Sequence, residues 1–265
     1  MEGAHFDLLS VALLEKYREA VATVGLERYA ALEESELSVD AFSFYTSVSA
    51  VYSSKIEGED IELDSYVKHK RFGISFLPDH TQKIDDLYGA YQFAKANACD
   101  RNNLLEAHRM LTHHILPEAQ RGRIRTSNMY VTTATGRIEY VAASPSMVHA
   151  EMEKLFADLE QLLRMELSLA EVFYFAAMLH LVLVKIHPFD DGNGRCARLF
   201  EKWFLAEKLG GKAWLIQSEK NYYKNHQLYY QNIRLLGLEY DALDHSAALP
   251  FLLMLPEATA MNEQD

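Results

Sequence analysis

The sequence predicts a mainly α-helical protein with one small β-hairpin. Only six prolines occur in 265 residues, and this leaves room for long helices because a proline inside a helix breaks it. Over most of the chain, apolar residues recur three and four positions apart, which is the period of an α-helix. The exception is 123–143, where β-branched and aromatic residues flank a short turn.

The N-terminal half is predicted to contain several helices. The apolar spacing indicates helices over 8–34, 80–97 and 103–116. Another is predicted between Val39 and Ile56, where five apolar residues fall three or four apart on one helix face: Phe42, Tyr45, Val48, Tyr52 and Ile56. Gly58 is expected to end that helix, since glycine is common just after a helix terminus.

Residues 123–143 are predicted to form two strands joined by a turn at Ala134-Thr135-Gly136. A lone hairpin is only marginally stable in water. We therefore expect this hairpin to lie as a flap over another part of the molecule.

The most apolar segment, Leu169–Ile186, has the composition of a membrane span but is interrupted by charged residues. We therefore predict a buried helix. Ser168 and Glu171 have the capping-box spacing at its start. Pro188 should end the helix and leave His187 at its terminus.

The C-terminal half is predicted to contain helices over 146–164 and 221–235. A third begins after the Gly192–Gly194 turn and should stop at Gly210-Gly211. In that helix Arg195 and Arg198 fall outside an apolar arc that can face the core. The arc spans about 100° and is formed by Cys196, Leu199, Phe200 and Trp203.

Composition narrows the expected partners. The chain has 26 Lys+Arg and 38 Asp+Glu, a formal charge of −12, which argues against a broad nucleic-acid or anionic-membrane surface. Its two cysteines are too few for a disulfide framework and suit a reducing compartment. The N-terminal residues lack the pattern of a secretion signal. The expectation is a cytoplasmic, bacterial-type protein that binds neither membrane nor nucleic acid.

The residues that suggest chemistry are concentrated in Lys185–Arg198, KIHPFDDGNGRCAR. The turn Gly192-Asn193-Gly194 precedes a helix and can present backbone N–H groups at the positive helix terminus. Arg195 and Arg198 follow it. Backbone N–H groups together with guanidinium groups suit the binding of phosphate.

Two further side chains of the same segment fit phosphate chemistry. Asp191 can hold Mg²⁺, since this ion usually binds through one or two carboxylates together with phosphates and waters. His187 can accept a proton near neutral pH, as the general base for a hydroxyl that attacks phosphorus.

The run HPFDDGNGRCAR resembles the signature of the Fic (Fido) family, His-Pro-Phe-x-Asp/Glu-Gly-Asn-Gly/Lys-Arg-x-x-Arg. The resemblance covers about 80–235 and includes GRIR at 122–125. It implies a mainly α, Fic-type helical bundle with a β-hairpin flap beside the active site. The predicted regions are an N-terminal helical region at 1–79, the Fic core at 80–235, and a C-terminal helical extension and tail at 236–265.

This resemblance implies Mg²⁺-dependent transfer of AMP from ATP to a Ser, Thr or Tyr hydroxyl of an unknown target protein. His187 would deprotonate the hydroxyl, and Asp191 would hold Mg²⁺ between the α- and β-phosphates. The Gly192-Asn193-Gly194 turn would form the anion hole, and Arg195 and Arg198 would clamp the phosphate tail. An extended target segment would pair with five flap residues: Met129, Tyr130, Val131, Thr132 and Thr133.

The stretch YSSKIEGED at 52–60 is similar to the inhibitory helix of the same family, Ser/Thr-x-x-x-Glu-Gly/Asn. Ser53, Glu57 and Gly58 stand at its key positions. The resemblance implies that Glu57 pairs with Arg198 at the place of the γ-phosphate, so that ATP binds poorly. The inhibitory helix is expected to cover about 39–57.

Three alternatives stay open. A phosphotransferase relative donates the γ-phosphate, although it usually carries Lys where Gly194 stands. If Glu57 orients a water molecule, the reverse reaction removes AMP from a target. A non-enzymatic regulatory module would keep the fold alone, and the complete set of motif residues weighs against it. Self-association and a nucleobase pocket lined by Tyr222 or Tyr229 are further open points.

Overall fold

The computed structural model describes residues 5–36, 38, 43–132 and 138–260. Within these ranges the chain is mainly α-helical with one antiparallel strand pair, as predicted. The strands are β1 Tyr130–Thr132 and β2 Ile138–Val141. The helices are α1 Leu14–Val21, α2 Phe44–Ile56, α3 Leu63–Phe72, α4 Pro78–Ala96, α5 Arg101–Leu111, α6 Pro145–Arg164, α7 Leu169–Ile186, α8 Asn193–Leu209, α9 Ser218–Lys224, α10 His226–Arg234 and α11 Leu249–Glu257.

Helix α7 is the centre of the fold. Every residue from Glu171 to Ile186 is buried, and α8, α6, α1 and α11 pack against the helix. Ser168 and Glu171 form the predicted capping box, and the helix ends just before His187. The helix is long and apolar enough to cross a membrane, but 89% of it is buried inside the protein. It is therefore a core helix, as predicted.

Helix α8 packs along α7 and is also buried on both sides. The predicted core face is confirmed, since Cys196, Leu199, Phe200 and Trp203 are all buried. Arg195 and Arg198 lie outside that face, yet they are buried as well. The reason is that α2 and the residues after it cover this second side of α8 and contact both arginines.

Helix α2 lies between α4, α9 and α8. Its buried residues are mostly small, and small side chains let neighbouring helices approach closely: Thr46, Ser47, Ser49, Ala50, Val51, Ser53 and Ser54. Tyr45, Val48 and Ile56 of the predicted apolar face are buried, whereas Tyr52 is half-buried. The residues 39–42 of the predicted helix lie outside the described residues.

Two helical predictions are wrong in extent. The segment 8–34 is not one helix, because Gly25, at φ +75°, separates α1 from a 3-10 turn at Leu26–Ala31. The segment 221–235 belongs to two helices, α9 and α10, because Asn225 leaves the helical conformation between them.

The remaining helical predictions agree better with the structure. The segments 80–97 and 146–164 appear as α4 and α6, while 103–116 appears as α5, which already ends at Leu111. Helix α3 has no counterpart among the predictions. Only Tyr66 of α3 is buried, so its apolar periodicity is too weak to detect.

The predicted hairpin is confirmed. Tyr130 pairs with Val141, and Val131 with Tyr140; the turn predicted at 134–136 lies outside the described residues. The outer edge of β2 is partly covered, since the Val141 N–H donates to the carbonyl of Leu238 at 2.8 Å. Within the described ranges, no strand pairs with the outer edge of β1.

One continuous hydrophobic core runs from Leu9 to Ala258 and includes parts of all three predicted regions, whose boundaries stay a prediction. The N-terminal segment is joined to α6 through a single buried carboxylate. Asp158 accepts the backbone N–H groups of Asp7 and Leu8 at 2.8 Å and of Leu9 at 3.0 Å. Three backbone donors are therefore satisfied by one side chain.

Replacement of Asp158 by Ala is expected to lower the free energy of unfolding by about 3 kcal/mol, because one buried and two partly buried N–H groups lose their acceptor. Urea denaturation measures this change. The matched control is Glu160→Ala on the same helix, whose side chain is 66% exposed and should cost under about 0.5 kcal/mol. Equal effects of the two substitutions would contradict the assigned role of Asp158.

Candidate active site

His187 is the first residue after α7. Its φ of 52° places it in the left-handed region and turns the chain out of the helix, while its N–H still donates to the Leu183 carbonyl at 2.9 Å. Arg125 fixes this terminus from the hairpin side. Its guanidinium donates to the carbonyls of His187 at 2.7 Å and of Ile186 at 3.2 Å.

Tyr140 and Val184 set the orientation of the His187 ring. Nδ1 lies 3.2 Å from the Val184 carbonyl and 3.1 Å from the Tyr140 hydroxyl, and that hydroxyl donates to the same carbonyl at 3.0 Å. A carbonyl oxygen can only accept, so we assign the proton to Nδ1. Nε2 then keeps its lone pair, which is the state that a general base needs.

The same ring is held neutral at physiological pH. Desolvation lowers the pKa of His187 to about 4, against the opposing effect of its hydrogen bond with the Val184 carbonyl. The positive charge of Arg125 acts in the same direction as desolvation, while Glu57 opposes it. A neutral imidazole is able to accept a proton.

The turn between α7 and α8 is held by one side chain. Asn193 accepts the Phe189 N–H at 2.9 Å and donates to the Phe189 carbonyl at 2.8 Å. Gly192 has φ +79°, and a Cβ there would lie 2.7 Å from Thr112. Glycine is therefore required at this position for conformation and for space.

His108, on α5, packs against the turn and is hydrogen-bonded to it. Its Nδ1 accepts the Gly122 N–H at 2.9 Å, so its Nε2 donates to the Asp191 carbonyl, also at 2.9 Å. The ring stacks on Phe189 with centroids 3.6 Å apart. Desolvation lowers the pKa of His108 to about 4, so this arrangement needs no charge.

Arg198 is a fully buried cation with several acceptors on α2. Its Nε donates to Ser53 Oγ at 2.8 Å, and its Nη2 donates to the Ser53 carbonyl at 3.0 Å and to Glu57 Oε1 at 2.6 Å. The Arg198 side chain has no exposed surface, whereas that of Glu57 is 27% exposed. The pairing of Glu57 with Arg198, expected from the sequence, is present in the structure.

The charges of the two groups stabilise each other. Desolvation alone would raise the pKa of Glu57, but the positive charges of Arg198 and Arg195 outweigh it and hold that pKa below its ordinary value. Desolvation would likewise lower the pKa of Arg198, and the Glu57 carboxylate raises it above its usual range. Both groups are therefore ionised.

Gly194 provides the space in which this carboxylate lies. A Cβ at Gly194 would be 2.5 Å from Glu57 Oε1 and 3.1 Å from the Arg198 guanidinium. An anion can therefore approach the first turn of α8 closely, where backbone N–H groups point outward without helical partners. In this structure the anion at that place is Glu57.

Arg195 has a carboxylate partner of its own. Its Nη2 donates to Glu59 Oε2 at 2.7 Å, and both side chains are at least 95% buried, with exposures of 4% and 5%. The Lys83 ammonium lies 3.2 Å from the other oxygen of Glu59. Each arginine of the motif is thus paired with a different acidic residue.

Asp191 fits the role of a single magnesium ligand. Asp191 is an exposed residue of the turn. Its Oδ1 accepts the Gly192 N–H at 2.6 Å. In the part of the chain that the structure describes, no three His, Cys, Asp or Glu side chains form a metal-binding group. Mg²⁺ takes few protein carboxylates when phosphates supply the other ligands, and the role of Asp191 as such a ligand stays a prediction.

A cavity of about 730 Å³ opens between the end of α2, strand β1 and helix α10. Glu57, Val131, Thr132 and Tyr230 are among its lining residues. The flap therefore borders the cavity that contains the Glu57 carboxylate. Met129 closes the base of the hairpin, where its carbonyl accepts the Ala142 N–H at 3.1 Å.

Most of the predicted site residues lie together. Glu57 lies against Gly194 and Arg198 and lines one cavity with Val131 and Thr132 of the flap, whereas Thr133 lies outside the described residues. Tyr222 and Tyr229 are buried in the core; the Tyr229 hydroxyl lies 2.9 Å from His180 Nε2, and neither tyrosine lines the cavity beside Glu57.

Sequence reasoning missed four contributors: Arg125, Tyr140, His108 and Glu59. Arg125 belongs to the GRIR run that carried part of the resemblance, and that run was the available signal. Nothing in the sequence marks Tyr140 as a partner of His187. Glu59 follows Glu57 by two positions, and on a continued helix it would point to another side.

Residues 98–205 match the family model of the Fic/DOC family. This stretch of the chain therefore belongs to the Fic/DOC family. A protein adenylyltransferase Fic from Culex quinquefasciatus is 30% identical over 212 residues, which are 76% of this chain and 39% of the relative. A uridine 5'-monophosphate transferase from Xanthomonas campestris is 64% identical over 31 residues, 12% of this chain and 6% of the relative. The chain thus spans about two fifths of the first relative and less of the second.

A solved structure supports the fold of this chain. A Fic family protein from Desulfovibrio desulfuricans is similar over 97% of this chain and 74% of that chain, with a TM-score of 0.74 and 20% identity. The Fic-type helical bundle predicted from the sequence is therefore confirmed. The roles of the individual site residues stay predictions.

The low pKa of His187 can be tested by NMR titration of the histidine ring protons. Because the pKa is lowered to about 4, the ring should stay neutral as the pH falls from 8 to 5.5 and become protonated only near pH 4. The reference within the same spectrum is His5, whose side chain is 91% exposed. The His187→Ala variant assigns the signal, and a His187 midpoint above 6 would refute the assignment.

Proposed function

We propose that this protein is an autoinhibited, Mg²⁺-dependent protein adenylyltransferase. It transfers AMP from ATP to a Ser, Thr or Tyr hydroxyl of a target protein. One observation carries the proposal: a neutral imidazole with a free Nε2 lies at the start of a glycine turn that leads directly to two buried arginines. The name of the Culex relative, a protein adenylyltransferase, supports the same activity.

The reaction would proceed by in-line attack on the α-phosphorus. The target hydroxyl oxygen forms a bond to phosphorus, the bond to the pyrophosphate oxygen breaks, and the hydroxyl proton moves to Nε2 of His187. Tyr140 and Arg125 contribute by holding the ring and the helix terminus in position. Catalysis of this kind depends on positioning and on neutralising charge.

The phosphates would be held by the first turn of α8 and by the motif arginines. A Cβ at Gly194 would lie 2.5 Å from Glu57 Oε1, and the guanidinium of Arg198 donates to the same oxygen, so the place that Glu57 occupies is the place proposed for phosphate. Asp191 is the residue that would hold Mg²⁺, and this ion supplies charge neutralisation when bound. His108 fixes the backbone of Asp191 through its carbonyl.

Glu57 would be the autoinhibitory residue, and we call its contact with Arg198 the brake. Its carboxylate already forms the hydrogen bond to Arg198 at 2.6 Å, and a phosphate must displace it to use the same donor. The target would approach along β1, whose outer edge is not paired with another strand in the described ranges. An extended segment can add to such an edge through backbone hydrogen bonds, with little demand on side chains.

A second candidate is transfer of UMP from UTP. The observation in its favour is the 31-residue match, at 64% identity, to a uridine 5'-monophosphate transferase. Both reactions use the same phosphate groups and the same base. They differ in the nucleobase, and the phosphate-binding residues do not distinguish one nucleobase from another.

Incubation with ATP labelled at the α-phosphate tests the proposal. The wild-type protein should label itself or a lysate protein weakly. Glu57→Gly should raise the amount of label at least tenfold, which corresponds to the free energy of about one charge-assisted hydrogen bond that becomes available to phosphate. His187→Ala in the Glu57→Gly background should abolish the label. Autoradiography of the separated proteins gives the measurement.

Matched nucleotides and one conservative variant separate the alternatives. UTP labelled at its α-phosphate tests for UMP transfer, and label that arrives only from the γ-phosphate of ATP would indicate phosphotransfer. Glu57→Gln keeps the shape of the side chain but removes its charge, so it should activate as Glu57→Gly does. Failure of the Glu57→Gly variant to bind any nucleotide would refute the proposed activity and favour a binding module.

A further inference from the structure

The residues that follow α2 bring two carboxylates to α8. The N–H groups of Glu57 and Glu59 both donate to the Ser54 carbonyl, at 2.9 and 3.2 Å. Between them Gly58 has φ +99°, a conformation that favours glycine. This reversal points Glu59 back to the same helix as Glu57, although the two residues are only two positions apart.

The second carboxylate contacts the other arginine of the signature. Glu59 accepts from Arg195 at 2.7 Å, within a pair that is almost completely buried. Arg195 Nε is also buried and has no hydrogen-bond partner among the described residues. Glu59 therefore engages the Nη2 donor of Arg195, while its Nε is shielded from solvent.

We propose that Glu59 is a second carboxylate of the brake, which engages Arg195 and limits its contact with the β- and γ-phosphates of the nucleotide. The inference rests on the proposed function, and it extends the brake from one arginine to both. Removal of Glu57 frees only Arg198. Full affinity for the triphosphate requires that Glu59 release Arg195 as well.

The charge balance supports this inference. Arg195, Arg198 and Lys83 carry three positive charges, against the two negative charges of Glu57 and Glu59. The cluster therefore offers one net positive charge to a polyanion. Loss of Glu57 raises this to two, and loss of both carboxylates raises it to three. Long-range attraction of ATP should increase at each step.

A purely structural role for Glu59 predicts a different outcome. In that case its contacts with Arg195 and Lys83 would only anchor the chain after α2. Loss of the carboxylate would then weaken the fold and affect all nucleotides alike. A brake on Arg195 would instead affect ATP and leave AMP unchanged, because AMP lacks the β- and γ-phosphates.

Calorimetric titration with ATP and with AMP, in the Glu57→Gly background, distinguishes the two roles. Adding Glu59→Gln should lower the Kd for ATP about tenfold, the value of one charge-assisted hydrogen bond, and change the Kd for AMP less than about twofold. The matched control is Glu62→Gln, which removes the same charge from a side chain that is 75% exposed and paired with Lys55. It should change neither affinity.

A substitution of Arg195 completes the test, and its measurement with Glu59 in place does not depend on the folding of the Glu59→Gln variant. With Glu59 in place, Arg195→Gln should weaken ATP binding less than about twofold, and with Glu59→Gln it should reverse the tenfold gain. A large loss of ATP binding in the presence of Glu59 would refute the proposal. An unchanged ATP Kd after Glu59→Gln refutes it as well, while absence of ATP binding by Glu57→Gly alone refutes the proposed function too.

Discussion

The rest of the site depends on the burial of one permanent positive charge. Arg198 has no exposed surface, and a buried cation without a partner anion is costly. In this structure Glu57 supplies the anion and Ser53 supplies two neutral acceptors. A ligand that displaces Glu57 must bring its own negative charge to the same place. The group that would bind phosphate is therefore the group that holds the proposed brake.

The groups proposed for catalysis lie on the α7–α8 side of the contact between Glu57 and Arg198. His187 is fixed by Arg125 and Tyr140, and the turn after it is fixed by Asn193. Glu57 lies on the other side, one residue beyond the end of α2 and before a glycine. The contacts that hold His187 and the turn do not include Glu57, so the proposed inhibition is compatible with a preorganised site.

The fold class and the signature motif were predictable because their signals are local. The capping box, the proline after His187 and the glycine turn each act within a few residues. The residues that hold His187 in position were not predictable, since Tyr140 and Arg125 are separated from His187 by 47 and 62 positions of the chain. Glu59 was missed for a different reason: a helical projection places it away from Glu57, and only the Gly58 reversal brings it back.

The packing of α2 on α8 also indicates which of their contacts would break when the proposed inhibition is released. Ser49, Ser53 and Glu57 are spaced four apart on α2 and at its end, and they face Lys202 and Arg198 along α8. The Ser49 and Ser53 contacts are buried, and Lys202 is paired there with Glu219. Only the Glu57 contact borders the cavity.

A ligand can therefore reach this row of contacts at one end alone. The buried contacts of Ser49 and Ser53 would remain when Glu57 is displaced, and they would keep α2 packed on α8. Release then amounts to a local rearrangement of the residues after Ile56, with the helix still in place. Such a small movement fits a brake that must yield to a bound nucleotide without loosening the core that positions His187.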